Sequence, residues 1–166
     1  MLISTSFIFV LLFIRCVVGI DEEANPCPDH WIRATFVDMG CLYVNRSETA
    51  TWDDANKICQ SVENQNASLV EILTEDQMDF LAMELDAIGD VTDGVKVYWT
   101  GGTDKGREGQ WFWITSLKEM GDFILFGGQP NGGLGSNCVG LWPGFDYHGG
   151  DDPCTSKFYP ICQIHV

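Results

Sequence analysis

The stretch that decides the fold is VYWTGGTDKGREGQWFWI, residues 97–114. Its two ends, residues 97–101 and 110–114, are rich in aromatic and β-branched residues, as is typical of strands. The segment between them is rich in glycine and charge, which is typical of a turn. We therefore expect a pair of strands here, lying between a helical part of the chain and a part dominated by loops.

Two helices are predicted upstream of this stretch. Thr51 and Thr74 can each cap a helix, because Asp54 and Gln77 follow three residues later, as in a capping box. Apolar residues then recur on one face with a period near 3.6. On the first helix these are Trp52, Ala55, Ile58, Cys59 and Val62, and on the second Met78, Leu81, Ala82, Leu85 and Ile88.

Strands and loops are predicted at the two ends of the chain. Short strands are expected before residue 45, at 138–142 and at 158–164, and only 138–142 is expected to form a strand between 127 and 152. The fold class is therefore α+β, with two helices, small antiparallel sheets and a long loop region. A loop region of this length is uncommon in a compact domain unless it binds something.

The cysteines predict disulfides. There are seven, and six of them follow residue 20. An even number in a secreted chain indicates three disulfides, with fifteen possible pairings. Zinc is the alternative interpretation, but the sequence has no Cys-x-x-Cys and its three histidines lack ligand spacing.

The first residues are typical of a secretory signal. FIFVLLFI, residues 7–14, is apolar, and small residues suited to cleavage follow at 17–19. A membrane anchor is the alternative, but the run is shorter than the roughly 20 residues that span a bilayer, and Arg15 ends it. We expect a signal peptide at 1–19, a lead-in at 20–26, one domain at 27–166, and a secreted product. Asn45 and Asn66 head sequons and are predicted glycosylation sites.

The chain is acidic, with a formal net charge of −15. This charge argues against nucleic acid and anionic membranes as partners, and no further segment could span a membrane. No nucleophile elbow, His-Glu-x-x-His or placed Ser/His/Asp set is present, so we expect no enzyme. Surplus carboxylates permit a cation site without establishing one.

A series of motifs runs in order from Cys27 to Cys162. They are CPDHW at 27–31, CLY at 41–43, Trp52-x-x-Ala55-x-x-x-Cys59, ASL at 67–69, WTGG at 99–102, EGQWFW at 108–113, the Gln129-Pro130-Asn131 triplet, and Cys138, Cys154 and Cys162. Together these motifs resemble the long form of the C-type lectin-like domain. The resemblance implies three disulfides: Cys27–Cys41, Cys59–Cys162 and Cys138–Cys154.

The resemblance also implies a ligand site in GGQPNGGLGSNCVG, residues 127–140. In this family a Glu-Pro-Asn or Gln-Pro-Asp triplet binds calcium, and the ion binds two sugar hydroxyls. This triplet mixes the mannose-type and galactose-type forms, so the sugar stays open. Ser136, Gly149 and Gly150 stand at three further family positions, and only Asp151 there keeps its carboxylate.

The predicted site follows from these matches. Gln129, Asn131 and Asp151 are the candidate metal and sugar ligands, Asp152 or Asp146 could substitute in a shifted loop, and Tyr147 is the candidate to stack on a sugar ring. The predicted function is a secreted lectin that binds glycans through calcium, in innate recognition of microbes. The alternative is a calcium-independent domain that binds a protein or lipid.

Overall fold

The computed structural model describes residues 26–62, 66–88 and 96–165. The predicted signal peptide lies outside these residues, as does most of the loop expected at 90–96. No helix within the described ranges is long and apolar enough to cross a membrane.

Both predicted helices are confirmed, together with their caps. Helix α1 spans Trp52–Ser61, and its cap Thr51 accepts a hydrogen bond from the Asp54 backbone N–H. Helix α2 spans Glu75–Ala87, and its cap Thr74 accepts one from the Gln77 N–H. The buried residues of each helix face the sheet and core as the 3.6-residue period predicts.

Within the described residues, eight strands form one mixed sheet. They are β1 Ile32–Arg33, β2 Cys41–Val44, β3 Ser68–Leu69, β4 Tyr98–Thr103, β5 Phe112–Trp113, β6 Cys138–Leu141, β7 Gly149–Asp152 and β8 Tyr159–Ile164. The main order is β1-β2-β8-β4-β6-β7, with β3 added on β8 and β5 on β4.

Two features of the sheet correct the expectation from sequence. Strands β4 and β8 pair in parallel, whereas we expected antiparallel pairing alone. Strand β7, with the sequence GGDD, lies in the region expected to hold only one strand, and it pairs antiparallel with β6. Glycine and aspartate are depleted in strands, so the sequence of β7 carries no strand signal.

Three disulfides join the pairs that the family resemblance implies. The Cys59–Cys162 bond ties α1 to the central strand β8, and Cys138–Cys154 closes the segment that holds β7. Buried tryptophans add further ties: the Trp52 Nε1–H donates to the Thr100 carbonyl at 2.8 Å and the Trp99 Nε1–H to the Ala50 carbonyl at 2.9 Å. The long loop therefore sits on a cross-linked base.

Candidate functional site

The loop of residues 127–137 leaves the sheet beside β7. The Phe126 N–H donates to the Gly149 carbonyl at 3.0 Å, and the Gln129 N–H donates back to the Phe126 carbonyl at 3.1 Å. The Gln129–Pro130 peptide bond is cis. The loop then runs over the sheet edge to Cys138, where β6 begins, so both of its ends are anchored on paired strands.

Asp151 holds the middle of this loop. Its side chain is 7% exposed. One carboxylate oxygen accepts the Asn131 N–H at 2.8 Å, and the other accepts the Gly132 N–H at 2.6 Å. A carboxylate that accepts two backbone N–H groups makes short, charge-assisted bonds. The one carboxylate retained at the family's ligand positions therefore binds the loop backbone.

The packing around Asp151 is close. A Cβ on Gly132 would lie 2.9 Å from the Asp151 Oδ2 and would overlap the Ser136 side chain. Ser136 is itself buried. The backbone at Gly132 thus approaches both side chains as only glycine allows, and the structure brings Asp151, Ser136 and the backbone of residues 131–132 together.

The two amide side chains of the triplet have different surroundings. Asn131 is exposed to solvent. The Gln129 Oε1 atom is buried and lacks a hydrogen-bond partner among the described residues. Buried polar atoms usually have a partner, so this carbonyl oxygen is the atom of the loop that most needs a donor, a water molecule or a cation.

Asp152 faces away from Asp151, because successive side chains of a strand point to opposite faces. Its Oδ2 accepts the Trp142 Nε1–H at 2.9 Å. The pKa of Asp152 is raised to about 6, mainly by burial and in smaller part by the nearby Asp151 charge, while the Trp142 hydrogen bond opposes both. The structure therefore does not bring the two carboxylates to one point.

The position of Tyr147 corrects a sequence-based expectation. Tyr147 is 4% exposed and lies beside Tyr98, with 6.4 Å between ring centroids, so it offers no ring face to a sugar. Asp146 and Tyr147 both have positive φ, and this turn directs the Tyr147 side chain into the core. The exposed aromatic residue of this region is Phe145, at 48%.

The residues at this site do not fit calcium as they are arranged. Calcium takes six to eight oxygen ligands. Both Asp151 oxygens already accept N–H groups, and Asp152 is directed elsewhere. In the parts of the chain that the structure describes, no three His, Cys, Asp or Glu side chains are grouped so that they could hold a metal ion.

The predicted glycosylation sites differ in exposure. Asn66 is exposed. Asn45 is 5% exposed, and its Oδ1 accepts hydrogen bonds from the Ser47 N–H at 3.0 Å and the Ser47 hydroxyl at 2.8 Å. The folded domain therefore presents only the Asn66 amide openly, and both assignments stay predictions.

The family model for the lectin C-type domain matches residues 48–164, well over half of the chain. The protein belongs to the C-type lectin domain family. This agrees with the resemblance seen in the sequence and with the α+β architecture and disulfides described above.

The individual relatives described next are each less than 30% identical to this chain. A mouse CD209 antigen-like protein C is 27% identical over 150 residues, which cover 87% of this chain and 72% of that protein. A mouse C-type lectin domain family 4 member K is 29% identical over 75% of this chain, but the match spans only 35% of that protein. The solved carbohydrate-recognition domain of cow CD23, studied in the presence of a GlcNAc2Man3 oligosaccharide, has a TM-score of 0.68 and 25% identity, and covers 86% of this chain and 98% of that one.

Proposed function

We propose that this chain is a secreted carbohydrate-binding domain whose ligand surface is the 127–140 loop, with microbial glycans as the first class to test. The observation that carries the proposal is the pair of hydrogen bonds that the Asn131 and Gly132 N–H groups donate to the Asp151 carboxylate. These bonds join the loop of the family's sugar site to strand β7 through protein groups alone. Secretion is supported by the signal-like N-terminus and by three disulfides, which persist in oxidising compartments.

A fixed loop suits sugar recognition. Weak polar contacts to hydroxyl groups yield more net affinity when the protein groups need not be ordered on binding. The exposed Asn131 amide offers both donors and an acceptor for a pair of hydroxyls. The similar domain of cow CD23 is a carbohydrate-recognition domain and was solved in the presence of an oligosaccharide, which supports this choice of ligand class.

The test is a glycan array, including microbial glycans, probed with the secreted protein in calcium and in EDTA. We expect binding in both solutions. Asn131→Ala should weaken it about tenfold or more, since a lost hydrogen-bonding amide removes roughly 1–2 kcal/mol. Gln110→Ala removes an exposed amide outside the loop and should bind as the unaltered protein does. If the protein binds no glycan on the array in either solution, the proposal is contradicted and a protein or lipid partner is favoured.

Calcium-dependent binding is the second candidate, and one observation favours it. The Gln129 Oε1 atom is buried without a donor, as an oxygen that awaits a cation would be. Asp151 would have to give up its backbone hydrogen bonds to join such a site.

Thermal unfolding with and without millimolar calcium decides between the two candidates. A calcium-dependent rise in Tm that disappears in Gln129→Met, which keeps the side-chain length but removes the carbonyl oxygen, would establish the second candidate. An unchanged Tm would exclude an ion at extracellular affinities, on the order of 10⁻⁴–10⁻³ M.

A further inference from the structure

A second concave surface lies on the side of the domain where helix α2 begins. It is a cleft of ≈ 660 Å³, walled by the N-terminal half of α2, residues 123–127 and the turn at 144–148. Small-ligand sites fall in the range of roughly 300–1,000 Å³. The cleft reaches Gly127 at the start of the loop, but it contains none of the loop residues that Asp151 holds.

One wall of the cleft is aromatic. The Phe126 and Phe145 rings stack with 3.8 Å between centroids and 7° between planes. Phe145 remains 48% exposed although it is large and apolar. An exposed ring can take the apolar C–H face of a pyranose, and the negative face of the ring also attracts cations.

The rim of the cleft is acidic. Glu75, Asp79 and Asp146 line it and are exposed. No lysine or arginine lines the cleft, and within the described residues none of the three acids has an ion-pair partner. His148 is the remaining titratable group of the lining, and its Nδ1 lies 3.1 Å from the Phe145 carbonyl oxygen. A cationic ligand therefore fits this cleft, and a phosphorylated, sulfated or sialylated ligand does not.

The spacing of these acids distinguishes a metal ion from an organic cation. In the described ranges, no three acidic, histidine or cysteine side chains are grouped closely enough to hold one ion. Carboxylates spread around a cleft instead suit several cationic groups carried on one extended ligand. Of such ligands, a glycan bearing free amines uses both the aromatic wall and the acidic rim, because it presents pyranose faces and ammonium groups together.

We propose that this cleft, formed by the Phe126–Phe145 stack and the Glu75, Asp79 and Asp146 carboxylates, is a second binding site, for glycans whose hexosamines carry free amino groups. The ammonium groups pair with the rim carboxylates, and one sugar face packs on the Phe145 ring. Acetylated hexosamines lack the charge and bind more weakly. This site goes beyond the proposed function and shares only Gly127 with the 127–140 loop, so either can fail without the other.

The test is isothermal titration with a glucosamine tetramer, at a pH where its amines are protonated, beside the fully N-acetylated tetramer. The expected result is binding of the free amine at least about tenfold tighter than the acetylated form, weakening as salt is added. Equal affinity for the two tetramers, or no binding of either, would overturn the proposal.

Variants locate the binding. Asp79→Asn with Asp146→Asn removes two rim charges, and asparagine tolerates the left-handed backbone at position 146. This double variant and Phe145→Leu should each lose about tenfold in affinity for the amine tetramer, with far-UV spectra unchanged. Glu48→Gln, at an exposed acid outside the cleft, and Asn131→Ala in the loop should bind it normally. Full binding by the double variant would place the interaction elsewhere on the acidic surface and refute the cleft.

Discussion

At the scale of single residues, the two adjacent aspartates of β7 have different hydrogen-bond partners and different effects on the domain. Asp151 is buried and accepts hydrogen bonds from two backbone N–H groups, and these bonds organise the loop. Asp152 receives one indole N–H, and burial raises its pKa to about 6. The strand alternation that separates the two side chains also gives them different environments.

Because the pKa of Asp152 is raised in the folded state, we expect the stability of the domain to depend on pH. Its folded-state pKa, about 6, is above the unfolded value near 3.9, so the native state holds this proton more tightly. Protonated Asp152 therefore stabilises the native state fully below about pH 4. This stabilisation declines as the pH rises from about 4 to about 6, and it is absent above about pH 6. Asp152→Asn keeps an acceptor for the Trp142 N–H but does not titrate.

Urea unfolding of both proteins from pH 4 to pH 8 measures this effect. The difference in free energy of unfolding should shift in favour of the variant as pH rises between about 4 and 6, and then level off. Parallel pH profiles for the two proteins would show that Asp152 titrates normally.

Replacing Gly40 with a residue that has a Cβ should have a large steric effect. Its φ is +67°, and a Cβ there would overlap the Ile164 carbonyl oxygen. Gly109 is the matched control, because its φ is +75° but a Cβ added there would meet no atom within 4 Å. Gly109→Ala should cost about 1–2 kcal/mol, the penalty of a left-handed backbone alone. Gly40→Ala should cost several kcal/mol, and equal losses in denaturant unfolding would contradict the close approach.

At the scale of elements, the start of α2 is tied to the 3₁₀ turn at Thr35–Val37 through Gln77. The Gln77 Oε1 accepts the Leu73 N–H, at 2.6 Å. Its Nε2 donates to the Val37 carbonyl at 3.0 Å and to the Asp38 carbonyl at 3.3 Å. One buried side chain therefore caps the helix and fixes the neighbouring turn against it.

Replacing Gln77 should therefore cost more than replacing the cap itself. Thr74→Ala removes one capping bond, worth about 1 kcal/mol. Gln77→Ala removes three part-buried hydrogen bonds, to the Leu73 N–H and to the Val37 and Asp38 carbonyls, and should cost about 2 kcal/mol or more. Met83→Ala, at an exposed position of the same helix, should stay within about 0.5 kcal/mol. A loss for Gln77→Ala no greater than that for Thr74→Ala, by thermal or urea unfolding, would contradict this role.

What the sequence can predict at this scale depends on how local the cause is. The caps at Thr51 and Thr74 need only a side chain and a backbone N–H three residues apart, and both are predictable. Strand β7 is stabilised by pairing with β6, which its own GGDD sequence does not reveal. The sequence does not predict the inward position of Tyr147, because two left-handed residues turn its ring toward the core. The partners of Asp151 lie 19 and 20 residues away, beyond any local pattern.

At the scale of the whole molecule, two of the disulfides differ greatly in the length of chain they close. Cys59–Cys162 spans 103 residues and Cys27–Cys41 spans 14. Chain entropy predicts about 4.7 kcal/mol for a loop near 100 residues and about 3 kcal/mol for one near 15. Replacing Cys59 and Cys162 with alanine should therefore destabilise the domain more than replacing Cys27 and Cys41. The reverse order in urea unfolding would show that packing around the bonds outweighs loop length.

The position of β8 has a consequence for how the protein is made. This strand, Tyr159–Ile164, comes last of the eight in the chain, yet it lies in the middle of the sheet and pairs with β2, β3 and β4. The ribosome synthesises the chain from its N-terminus. Strands β2, β3 and β4 therefore cannot pair with β8 until residue 164 has emerged. The nascent chain therefore carries unpaired strand edges until β8 has been made, and such edges are prone to pair with other chains unless they are shielded.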